Sequence, residues 1–98
     1  MQTASQNIAI ARDARRRRVL MAATIIGANG SFQVRIRDLS DAGAKLYTDA
    51  RLPVGSDVIF KRGNLFAAAK VAWSDSTTAG IRFYPKLSMT DVAAALKH

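Results

Sequence analysis

The chain contains no cysteine and no glutamate, and its one histidine, His98, is the last residue of the sequence. Without cysteine there is neither a disulfide framework nor a thiolate metal site. One terminal histidine cannot anchor a histidine metal cluster. There is no Cys or Ser/His nucleophile arrangement and no phosphate loop, so the reading is "not an enzyme", with no catalytic residue, no metal ligand and no cofactor. Aromatic residues make up only 7% of the chain and show no exposed series on which bases would stack. The longest apolar stretch, Val19–Ile26, is broken only by Thr24 and is far shorter than a bilayer requires. Met1–Ala11 lacks the charge order of a signal peptide, because the arginines follow its apolar part. A cytoplasmic location is therefore expected.

Acidic residues are scarce: 7 Asp against 15 Lys+Arg give a net charge of +8. Such a balance favours anionic partners, whether nucleic acid, nucleotides or an acidic membrane surface. Arg12, Arg15, Arg16, Arg17 and Arg18, opposed only by Asp13, supply half of that net charge. Every lysine lies elsewhere. The planar fork of arginine suits bidentate recognition of phosphate and guanine better than the point charge of lysine.

A chain of 98 residues is one domain with a modest core. Residues 1–11 read as a flexible tail or short helix, and residues 12–98 as a single folded unit. Val19–Ile26 reads as a first strand, and Gly27-Ala28-Asn29-Gly30 as a turn of residues that tolerate positive φ. Ser31–Asp38 alternates, with Phe32, Val34 and Ile36 on one face and Gln33, Arg35 and Arg37 on the other. Leu39–Gly43 reads as a polar turn. Ala44–Thr48, Asp57–Lys61, Leu65–Trp73 and Ile81–Tyr84 follow as strands, with a turn over Thr77–Gly80 before the last. This spacing predicts a small antiparallel six-stranded β-barrel. Ser88 caps a predicted helix over Met89–Lys97, with Met89, Val92, Ala93 and Leu96 on its apolar face. Val34, Ile36, Leu46, Val58, Phe60, Val71, Ile81 and Phe83, with Leu20, are the core candidates.

Two short patterns carry a resemblance. Arg12 and Arg16 form the one R-x-x-x-R pair in the chain. Asp38, Ser40 and Gly43 fill D/N-x-S-x-x-G a strand and a turn later. In this order the two patterns resemble the PilZ family of cyclic di-GMP receptors, and Lys70-Val71-Ala72-Trp73 with Gly80-Ile81-Arg82-Phe83 is similar to that family's closing hairpin. Arg18 directly precedes an apolar strand residue, as the second arginine does in many family members, but Ala14 stands four residues before it. The intact spacing selects Arg12 and Arg16.

The resemblance implies an all-β PilZ-like barrel that binds cyclic di-GMP through Arg12, Arg16, Asp38, Ser40 and Gly43, with Arg15 and Arg17 as adjoining ligand-binding candidates. It further implies a conformational change on binding and a downstream protein partner, with no specific nucleic acid. The chemistry suits the residues. Guanine N7 and O6 accept an arginine fork, and its N1–H and N2–H₂ edge can donate to Asp38. Gly43 is expected to adopt positive φ and to allow close backbone approach. Plainer readings stand beside this one. Asp38–Gly43 alone reads as a hairpin turn, Arg17 and Arg18 as a solvated basic arm, and Trp73 as a barrel-rim residue. A nucleic-acid-binding barrel and a PilZ-like adaptor without nucleotide binding are the alternative functions.

Overall fold

The computed structural model describes residues 17–97, with side chains from Met21 onward. The predicted tail and Arg12, Arg15 and Arg16 lie outside the described residues, as does the side chain of Arg17. The strands are β1 (Arg17–Gly27), β2 (Gly30–Leu39), β3 (Gly43–Tyr47), β4 (Asp57–Arg62), β5 (Leu65–Ser74) and β6 (Thr78–Phe83), followed by helix α1 (Met89–Ala95). They close into an antiparallel barrel in the order β1-β2-β3-β6-β5-β4. The expected six-stranded barrel with one short C-terminal helix is what forms.

Alternation builds it. Val34 and Ile36 of β2, Ala44 and Leu46 of β3, Val58 and Phe60 of β4, Ala67, Ala69 and Val71 of β5, and Ala79, Ile81 and Phe83 of β6 are all buried. Their strand neighbours face out, which is the period of two that a half-buried sheet imposes. Phe60 and Phe83 meet edge to face at 5.4 Å between ring centroids in the middle of this core. The hairpin from Arg62 to Leu65 turns on two residues, with Gly63 at φ +59°, a conformation glycine adopts without strain. At the Ala28-Asn29 turn, positive φ falls on Gly30 and not on the asparagine.

Most strand boundaries shift by a residue or more from expectation, β1 starting at Arg17 so that Arg17 and Arg18 are strand residues and not an arm, and two further shifts bear on the site. β6 starts at Thr78, so Ala79 and Gly80 are strand residues and not a turn. Small residues are needed there because Ala79 is fully buried and the Trp73 ring lies against Gly80. Leu39 is fully buried at the end of β2 rather than part of a polar turn.

Helix α1 has seven residues, too few to persist alone. Ser88 caps it as expected, its Oγ accepting from the Asp91 N–H at 3.0 Å. Its buried face is Val92 and Ala95, whereas Met89 is 63% exposed and Ala93 is also exposed, so the predicted stripe is rotated. The helix carries no basic residue in its last turn. Arg62 of β4 supplies the missing donors. Its Nε donates to the Ala95 carbonyl at 3.1 Å and its Nη2 to the Lys97 carbonyl at 2.8 Å. Its Nη1 donates to the Ala22 carbonyl of β1 at 2.9 Å. One guanidinium thus joins the helix end to the seam at which β4 meets β1.

Truncating Phe60 to alanine should lower the unfolding free energy by about 3–5 kcal/mol, as expected for a fully buried ring. Phe66→Ala, at a ring that is 59% exposed, should cost about 1 kcal/mol or less. Denaturant unfolding of both variants measures the contrast; equal losses would mean that the core is not where the barrel places it.

Candidate functional site: a groove across four strands

Three irregularities interrupt the strand registers, and all three fall around one surface groove. The β1–β2 register shifts between Arg18 and Met21, β2–β3 between Ile36 and Asp38, and β5–β6 between Val71 and Trp73. A bulge adds a residue to one strand and re-aims the side chains beyond it. On β5, strict alternation after Ala69 and Val71 would send residue 73 inward; the bulge puts Trp73 opposite Gly80 on the outer face. On β2, alternation after Val34 and Ile36 would send residue 38 inward. The bulge instead pairs Asp38 with outward Lys45 and Leu39 with buried Ala44. The burial of Leu39 and the outward turn of Asp38 have the same cause.

Residues directly opposite each other in an antiparallel pair share a face of the sheet. The registers therefore compose a row across β2, β3, β6 and β5: Asp38, Lys45, Gly80, Trp73. A carboxylate and an ammonium stand beside an indole that packs over a glycine. A second row runs Gly43, Arg82, Lys70, Asp57 across β3, β6, β5 and β4. Within it Lys70 is held by Asp57 at 2.8 Å, and this hydrogen bond and the Asp57 charge raise the Lys70 pKa. The groove over these rows has a volume of about 260 Å³ and is lined by Asp38, Ser40, Gly43, Lys45, Trp73 and Arg82, among others.

The turn at one end of the groove is firmly built. The Ser40 N–H donates to the Gly43 carbonyl at 2.9 Å. Ser40 Oγ donates to the same carbonyl at 3.3 Å and accepts from the N–H groups of Ala42 at 3.2 Å and Gly43 at 3.3 Å. The carbonyls of Ala42 and Asp41 accept from the Phe83 and Leu87 N–H groups, each at 2.8 Å, which docks the turn on the end of β6 and the segment after it. Serine is thus a turn-forming residue here in its own right. Gly43 is not among the positive-φ glycines. Its requirement is close approach, because an added Cβ would collide with the Ile81 carbonyl. Asp38 is 7% exposed, with Arg37 Nε 3.7 Å from its carboxylate. The Arg37 guanidinium also lies 6.0 Å from the Tyr47 ring centroid, so Arg37 is not merely a wet-face residue.

Of the sequence-predicted site residues, Asp38, Ser40 and Gly43 come together in one wall. The Cα atoms of Arg17 and Arg18 stand opposite Leu39 and Asp38, so the arginine segment enters the barrel beside that wall. Arg12, Arg15 and Arg16 lie outside the described residues. Lys45, Trp73 and Arg82 line the groove without having been singled out for it. No linear spacing marks them, since they meet Asp38 and Gly43 only through pairing across strands. Trp73 is at the barrel rim, as expected, but at the rim of the groove itself.

The two glycines give opposite expectations on substitution. Gly43→Ala meets backbone and should lower the melting temperature by several degrees. Gly80→Ala meets the ring of Trp73, which can swing away, so it should shift tryptophan emission with a smaller loss of stability. Thermal melts and emission spectra of both variants test this; an unshifted emission maximum in Gly80→Ala would place the indole elsewhere.

Residues 11–98 match the family model of the PilZ domain. Among solved structures, the chain is similar to the PlzA protein of Borreliella burgdorferi, a crystal structure in complex with c-di-GMP, with a TM-score of 0.64 and 19% sequence identity. The likeness covers 94% of this chain and 43% of PlzA, so the chain spans less than half of that protein, and at this identity it speaks for the fold. No curated protein gives a significant match. With the family match running over nearly its whole length and a closed six-stranded barrel beneath it, the chain belongs to the PilZ domain family.

Proposed function

We propose that this PilZ domain is a non-catalytic receptor for cyclic di-GMP, in which the segment Arg12–Arg16 orders over the groove on binding and a downstream protein reads the change. The observation that carries the reading is the juxtaposition of the Asp38–Gly43 wall with the start of β1, into which the arginine segment leads. Asp38 matches the donor edge of guanine, and the arginines match phosphate and the N7/O6 edge. The likeness to a c-di-GMP-bound PilZ protein supports the same ligand.

Size supports the clamp. The groove of about 260 Å³ is smaller than the roughly 300–1,000 Å³ of pockets that bury a drug-sized ligand. A dinucleotide resting in it leaves much of its surface uncovered, and a second wall is required to enclose it. Residues 12–16 are the segment joined to the groove edge, leading into β1 at Arg17. Fixing them costs about 1–2 kcal/mol each, which several charge-assisted bonds to the ligand offset. Binding and ordering are then one event, and the ordered segment is a surface that the free domain does not present. A role in binding single-stranded nucleic acid is less favoured, because the one tryptophan of the groove is no stacking series.

Calorimetric titration with cyclic di-GMP should show binding that Arg16→Ala and Asp38→Ala each weaken by about 1.5–3 kcal/mol; the barrel stays folded in both, with a lowered melting temperature in Asp38→Ala, where a buried, ion-paired carboxylate is lost. Arg12→Ala should behave like Arg16→Ala, and Arg18→Ala should do less. Cyclic di-AMP should bind more weakly by about 1–3 kcal/mol, because adenine presents a donor where guanine presents O6. Emission from Trp73 at the groove rim should change on titration. Wild-type affinity in all of these variants would remove the site and leave the adaptor reading.

A further inference from the structure

Two cations line the groove, and neither belongs to the arginine pair or to the Asp38–Gly43 pattern. Lys45, half-buried on β3, stands directly opposite Asp38 on one side and Gly80 on the other. Arg82, exposed on β6, stands opposite Gly43. Both occupy the outer face, in the two adjacent rows that floor the groove. Neighbouring cations are committed elsewhere. Lys70 is paired with Asp57, Arg62 with carbonyls of β1 and the helix end, and Arg37 with Asp38. Lys45 and Arg82 make no side-chain hydrogen bond or ion pair with another described residue.

We propose that Lys45 and Arg82 form a barrel-borne phosphate clamp that holds the ligand's phosphodiesters on the groove floor. The inference rests on the cyclic di-GMP reading and adds to it a fixed half of the charge recognition. Asp38 is the carboxylate in the groove wall, with Arg37 3.7 Å from it, and Lys45 and Arg82 add the positive charge that an anionic ligand meets along the groove floor. Lys45 flanks it directly on β3, and Arg82 does so one row away. Their mounting on rigid strands matters as well. Their backbone is already fixed in the strands, so their contacts cost side-chain ordering alone.

The test is calorimetry with cyclic di-GMP on wild type, Arg82→Ala, Lys45→Gln and, as a control, Lys86→Ala, an exposed cation that does not line the groove, each titrated at several salt concentrations. Arg82→Ala and Lys45→Gln should each weaken binding by about tenfold or more. Each should also flatten the dependence of log affinity on log salt, because one phosphate-neutralising charge is gone. Lys86→Ala should match wild type in both respects. Melting temperatures should hold for all three, since no lost contact lies in the core. If wild type binds and both groove variants bind like it, the clamp is wrong and the receptor reading stands. Weakened binding with an unchanged salt slope also overturns the clamp, because the loss would then be one of shape. A wild-type domain that does not bind cyclic di-GMP removes the receptor reading and the clamp together.

Discussion

The seam between β1 and β4 is the constraint on which the barrel depends. Three residue pairs make it: Thr24 with Lys61, Ile25 with Phe60 and Ile26 with Ile59. It is short beside the other pairings, yet without it the sheet is open and has two edges. Its central pair, Ile25 and Phe60, is fully buried, so closure and core formation are one event. Phe60 in turn meets Phe83, which brings the last strand to the same centre. Where the ladder runs out, Arg62 continues the join with a side-chain bond to the Ala22 carbonyl. The helix is fixed by that same guanidinium.

A closed barrel with strict alternation has an inside for packing and an outside for water, and no site. The bulges change this at one place. On β2 and β5 each flips the residue beyond it to the other face, and so brings Asp38 and Trp73 out onto a row shared with Lys45 and Gly80. The third lies where the arginine segment joins the sheet. Irregular pairing is thus confined to the strands that floor and border the groove, while the β3–β6 and β4–β5 ladders run in unbroken register.

Fold and site were legible in the sequence to different depths. Alternation in Gln33–Arg37 and at Val58, Phe60, Val71, Ile81 and Phe83 reports the core directly, because each strand has one wet face. The Asp38, Ser40 and Gly43 pattern was visible because a tight turn compresses the wall of the groove into six consecutive residues. The bulges were not visible. Nothing in the residues around Ala72 or Arg37 announces an extra residue, so the side that Trp73 and Leu39 face had to come from the pairing. For the same reason Lys45 and Arg82 read as ordinary outward strand residues. Ala79 and Gly80 misled in the other direction, since small residues serve a turn and a crowded strand equally well. Gly43 was marked as special for two reasons, and close approach to Ile81 is the one that applies.

The way Arg62 serves the C-terminal helix has a consequence for how this domain tolerates change. A helix that carried its own terminal cation would keep its end wherever its sequence was moved. Here the end is defined by a residue about thirty positions upstream, on another element. Variation along the exposed positions of α1 is therefore inexpensive, and selection on the helix is displaced onto β4. Two lineages of this domain could drift apart over residues 89–97 and still end the helix at the same height on the barrel, provided that the arginine at position 62 persisted. A lineage that lost it would have to rebuild both the helix end and the β1 seam, because the same side chain ties the two.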